Sequence, residues 1–154
     1  MMDALWQLLI SAAGTLGFAI LFYVPRRHYF WCALTGAVGW LVYWLLMQVQ
    51  ASTVVASLIA VVPLTLLSRL FSLWRKAPST VFLFCGIFPL VPGAGIYYTA
   101  YYFIQGDMPL FVSKGMETFK IAVAIALGIA VTLSIPLPGL PGAGTYRKPE
   151  NAKN

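Results

Sequence analysis

Between Phe88 and Phe103 the chain reads Phe-Pro-Leu-Val-Pro-Gly-Ala-Gly-Ile-Tyr-Tyr-Thr-Ala-Tyr-Tyr-Phe, which puts two prolines and two glycines inside an apolar run long enough to cross a membrane. Pro89 and Pro92 each lack an N–H and would each clash with the carbonyl four residues back in a continuous helix. Gly93 and Gly95 add backbone freedom where a helix has least use for it. In hydrocarbon an unpaired backbone group costs several kcal/mol, so a break survives only beside protein or water. The run is expected to be a discontinuous helix, 80–88 and then 94–104. Its second half would aim N-terminal amides at the gap, an arrangement that carriers use to hold substrate. A plain proline kink is the competing reading.

Composition fixes the medium. Hydrophobic residues make up 60% of the 154 and charged residues 9%, against about 25% charged in a soluble domain. The class predicted is an all-α integral membrane protein. Cys32 and Cys85 lie inside apolar runs and read as small packing residues rather than a disulfide. The net charge of +6 sits at helix ends and forms no groove-reading module, so nucleic acid is not expected as a partner. The N-terminus lacks the basic n-region of a cleavable signal, and the first apolar run is expected to remain as a span.

Five spans are predicted, at 4–24, 29–47, 51–73, 80–104 and 115–135, within a single transmembrane domain covering 1–144. A polar, basic and disordered tail is expected over 145–154. Pro63 is expected to bend the third span, and Arg69 to snorkel from its end. Arg26 and Arg27, then Arg75 and Lys76, then Arg147, Lys148 and Lys153 mark alternate connections. The positive-inside rule therefore places the N-terminus outside and the C-terminus in the cytoplasm. Lys114 is the discordant charge.

No catalytic constellation emerges. His28 stands alone in a basic turn, no Cys/His cluster has metal spacing, and the glycine runs lack a phosphate loop's lysine and hydroxyl end. An enzyme is not expected, and neither metal nor cofactor is implied. Small residues at helical spacing, Gly14 and Gly17 in the first span and Gly36 and Gly39 in the second, read as close-packing positions. Tyr97, Tyr98, Thr99 and Tyr101 crowd the second half of the broken helix, as a polar cavity lining or as an interfacial belt. Lys114, Glu117 and Lys120 follow at three-residue steps, as intramembrane charges or as an amphipathic entrance. Glu117, Lys120 and Asp107 are the candidates for ion coupling. Arg26 and Arg27 set orientation or attract anions.

Three stretches in order carry a family likeness: Phe22-Tyr23-Val24-Pro25-Arg26, then Trp31-Cys32-Ala33-Leu34 with Gly36 and Gly39, then Phe88-Pro-Leu-Val-Pro-Gly93 with Tyr98-Thr99-Ala100. Together they resemble the small five-span membrane subunit of the bacterial threonine/serine exporter family, which includes two-subunit exporters of succinate and related dicarboxylates. The resemblance implies a subunit of a secondary exporter in the bacterial inner membrane, working by alternating access. Its cargo would be threonine, serine or a dicarboxylate such as succinate. By position, Pro89, Pro92 and Gly93 match the family's break motif, and Gly36 and Gly39 its second-helix glycines. Complete exporters of this kind join two membrane halves, so a larger subunit with a soluble portion is the implied partner, with a homo-oligomer also open. The other reading is a non-transporting scaffold that stabilises or regulates such a partner. With the tyrosines and Gly95, the break supplies the expected substrate site.

Overall fold

An apolar chain in hydrocarbon must satisfy its own amides, and among the described residues every regular element is helical. The computed structural model describes residues 2–136; the predicted tail, 145–154, lies outside them. Six α-helices follow in order: α1 (Met2–Leu21), α2 (Tyr29–Gln48), α3 (Thr53–Arg75), α4 (Ser79–Ile87), α5 (Gly93–Gln105) and α6 (Met108–Ser134). Short 3₁₀ turns occupy Arg26–His28 and Phe88–Leu90. Four of the helices are long and apolar enough to cross a membrane, and α4 with α5 makes a fifth crossing if the bent pair counts as one. The chain is a multi-pass, all-helical membrane protein.

The helix ends follow local chemistry. Tyr23 at φ 54° and then Pro25 stop the chain after α1. Ser52 Oγ accepts the Val55 amide at the start of α3. Lys76 ends α3 in the left-handed region, and Gly106 does the same for α5. α6 covers the predicted span 115–135 as far as Ser134 but begins at Met108. Asp107 caps it, and Pro109 sits in the first turn, where a missing N–H leaves no bond unmade.

α2 and α3 form the middle of the bundle, with α4 against both, α1 on the α2 flank and α6 on the α3 flank. One core cluster joins Ala60, Val61 and Leu64 of α3 to Leu83, Leu90, Ile121 and Ile125. A second, toward the turns after α1 and α3, joins Ala19, Val24, Cys32, Phe71, Phe82 and Cys85. Close approach depends on absent side chains. A Cβ on Gly36 would overlap Thr15, one on Gly39 would come within 2.6 Å of Leu64, and one on Gly128 would overlap Val61. Gly14 and Gly17, by contrast, face open space within this chain. Buried hydroxyls turn back on their own helices, as Thr15 Oγ1 does to the Ser11 carbonyl (2.8 Å) and Thr65 Oγ1 to Val61 (2.8 Å). α5 is different: it packs chiefly on α6 and buries no residue.

Candidate functional site

The break is a sequence of tight local bonds. After the Phe88–Leu90 turn, Val91 is extended (φ −61°, ψ 129°). Pro92 stands at φ −75°, ψ 61°, and the Gly93 amide donates to the Val91 carbonyl at 2.7 Å. That is an inverse γ-turn, compact enough to change direction without a loop. α5 then leaves at 54° to the segment before it. The Ile96 amide donates back to Pro92 (3.0 Å), but among the described residues the amides of Ala94 and Gly95 have no acceptor. They are the open donors of a helix start, with the positive end of the helix dipole behind them. Phe88 anchors the other side of the turn, stacking on Phe18 of α1 at 3.9 Å between ring centres.

Beside the break, three adjoining cavities run between α5–α6 and α2–α3. The innermost, about 200 Å³, is lined by Trp40, Tyr43, Ser57, Pro89, Gly93 and Ala94, among others. The next, about 260 Å³, shares Tyr43, Thr53, Pro92 and Ala94 with it and adds Gly95, Tyr98, Lys114, Glu117 and Thr118. The third, about 560 Å³, shares Thr53 and Glu117 and reaches the rim at Ser52, Ser113 and Lys120. Through these shared residues the three adjoin as one cleft, with hydroxyls and charges set in an otherwise apolar wall, leading from the break to the end of the bundle where α3 and α6 begin. Lys114 Nζ lies 3.0 Å from Glu117 Oε2, with both side chains roughly half exposed (43% and 49%).

The structure therefore gathers Pro89, Pro92, Gly93, Gly95, Tyr98, Glu117 and Lys120 around one cleft. It separates the remaining candidates. Tyr97 and Tyr101 stack on each other along the outward face of α5, with Tyr97 63% exposed. Thr99 lines a larger cavity of about 740 Å³ between α5 and α6. That cavity is apolar: it holds no charged group, and its two hydroxyls, Thr99 and Thr118, donate to the Gly95 and Lys114 carbonyls. It suits an acyl chain better than a polar solute. Asp107 accepts the Leu110 amide (3.1 Å) as the cap of α6. Gly95 also has a packing reason, because a Cβ there would overlap Thr118. Gly14 lines a groove of about 230 Å³ against Phe18 and Phe88, on the far side of Trp40 and Pro89 from the cleft.

Sequence reasoning missed Tyr43, Thr53 and Ser57, since no local pattern marks single hydroxyls on three different turns of α2 and α3. It also missed the depth of Arg69. That side chain is 7% exposed, and its Nη1 donates to the Thr132 carbonyl near the end of α6 at 2.7 Å. A cation there meets the negative end of a helix dipole.

A bundle of apolar spans with a small cleft beside an interrupted helix is an arrangement that membrane carriers use. Residues 7–135 match the family model described as Threonine/Serine exporter, ThrE, and the chain belongs to that family. It is accordingly a membrane component of a threonine/serine exporter. No solved structure matches the chain.

Proposed function

We propose that the chain receives threonine or serine in the cleft beside the break and moves it outward by alternating access. The substrate carboxylate meets the Ala94 and Gly95 amides, where donors and helix dipole coincide. The ammonium takes Glu117 in place of Lys114, an exchange that costs little because a half-exposed ion pair contributes only about 0–1 kcal/mol. Tyr43, Thr53 and Tyr98 supply partners for the side-chain hydroxyl. The observation behind this reading is that open amides and a lysine–glutamate pair line one small cavity. A dicarboxylate such as succinate meets Lys114 with its second carboxylate but brings no ammonium for Glu117, whereas the amino acid answers the open amides and Glu117 together.

Glu117 is the best-placed proton carrier in this scheme. Asp107 is engaged in capping, and Lys120 stands on the rim. The bare outer face of α5, with Tyr97 and Tyr101, is where the larger exporter subunit or a second copy would seat. The membrane is the bacterial inner membrane, with the basic turns toward the cytoplasm. Efflux from proteoliposomes, with and without the larger subunit, tests the scheme with threonine, serine and succinate in parallel. Threonine and serine efflux should exceed that of succinate, and Glu117→Gln should lower it about 10-fold, the worth of one charge-assisted contact. Succinate moving as fast as threonine, or a Glu117→Gln chain at the unaltered rate, would contradict it.

A further inference from the structure

The end of the bundle opposite the cleft mouth carries a feature that the transport scheme does not use. The turn after α1 presents Arg26 and Arg27, and the end of α3 presents Arg75 and Lys76, all four exposed. Acids are absent from this end among the described residues: Asp3 opens α1, and Asp107 and Glu117 belong to the first turns of α6, all at the other end. Cations brought together without a counterion repel one another, and more strongly at a low-dielectric boundary than in bulk water.

The two turns are nevertheless tied together through these residues. Arg75 Nη2 donates to the Arg27 carbonyl at 3.2 Å, and the Arg75 guanidinium lies 5.7 Å from the centre of the Trp31 ring. Arg27 Nε in turn donates to His28 Nε2 at 3.0 Å, and His28 is 2% exposed. Backbone, ring and imidazole thus hold both guanidinium groups in place, with most of their N–H donors unspent. Arginine forks with free N–H groups, brought to one turn by these bonds, match the geometry of a phosphate. The setting belongs to a membrane surface, since the exposed indole of Trp74 adjoins Arg75 at the end of a membrane-spanning helix, and amphipathic indoles favour headgroup level.

We propose that Arg27 and Arg75 together seat the phosphate of an anionic phospholipid headgroup, which neutralises this end of the bundle and fastens the α1–α2 turn to the end of α3. Lipid supplies phosphate at the depth of the two arginines and carries chains that can lie along the aromatic flank. Free phosphate has the same anionic group without that anchoring.

The test uses the full-length protein in detergent, with retained lipid read by native mass spectrometry after exposure to an equimolar mixture of phosphatidylglycerol and phosphatidylcholine. The unaltered chain should retain phosphatidylglycerol preferentially. The double substitution Arg27→Gln with Arg75→Gln should remove the preference, by roughly 5-fold for each arginine. Lys76→Gln removes one charge from the same end without touching the tied pair, and should leave most of the preference. Equal retention of the two lipids by the unaltered chain would overturn the proposal, and that result stands even if the double variant does not fold. So would Lys76→Gln losing as much as the double variant, which would mean diffuse attraction rather than a seat. Inorganic phosphate at millimolar concentration displacing the lipid, and raising the unfolding temperature as much as lipid does, would assign the site to the free ion and overturn the lipid reading.

Discussion

α3 carries Pro63 at its middle and remains one helix from Thr53 to Arg75, whereas the run from Ser79 to Gln105 carries Pro89 and Pro92 and turns by 54°. One proline removes a single helical hydrogen bond, and neighbours can hold the helix through it. α3 has such neighbours on several sides, α2, α4 and α6, and half of its apolar window is buried. The second run loses two N–H groups three residues apart, then meets Gly93 and Gly95. Beyond the break it packs chiefly on α6. Proline alone therefore does not make the site. The break forms where paired prolines meet one-sided support, and the Ala94 and Gly95 amides are left open beside the cleft there.

The largest expected effect comes from removing the support of α3. Gly128→Leu forces α6 away from Val61 and Leu58, and should lower stability by roughly 3 kcal/mol in detergent unfolding, at the upper end of overpacking costs. Next, Arg69→Ala leaves the Thr132 carbonyl without its donor, and should cost about 2 kcal/mol in the same assay. Pro92→Ala restores an N–H at the break. It should reduce threonine efflux about 10-fold, equivalent to about 1.4 kcal/mol, while circular dichroism and membrane insertion stay as before. Smallest of all, Pro63→Ala should raise stability by up to about 1 kcal/mol, a fraction of the intrinsic helix penalty of proline. Efflux should stay within about twofold, since less than half a kcal/mol is at stake. If Pro63→Ala cuts efflux as deeply as Pro92→Ala, the contrast between the two runs collapses.

Much of this was legible in the chain. The halves expected at 80–88 and 94–104 correspond to α4 at Ser79–Ile87 and α5 at Gly93–Gln105, because proline and glycine act locally and leave their mark in sequence. The start of α6 was not legible in the same way. Pro109 reads as a breaker, yet three residues earlier or later its effect would differ; in the first turn it is harmless. The four tyrosines of α5 look alike in sequence, but Tyr98 turns to the cleft and Tyr97 and Tyr101 turn away, which only the packing of α5 on α6 decides. Tyr43, Thr53, Ser57 and Glu117 come from three helices and meet only after folding. Glycine spacing was an equally partial guide: Gly36 and Gly39 mark real close approaches, while Gly14 and Gly17 carry the same pattern and meet open space.

The central claim is that the cleft beside the break holds the transported amino acid, and substrate protection of a single introduced thiol tests it most directly. The native thiols suit the experiment, since Cys32 and Cys85 are both buried and should stay silent toward a water-soluble maleimide. Thr53→Cys places a reactive group in the cleft wall, and Tyr23→Cys places one at a position 94% exposed at the other end of the bundle. Threonine should slow labelling of Thr53→Cys and leave Tyr23→Cys unaffected, with succinate giving no protection at either position. Labelling of Thr53→Cys at one rate with and without saturating threonine would contradict the account.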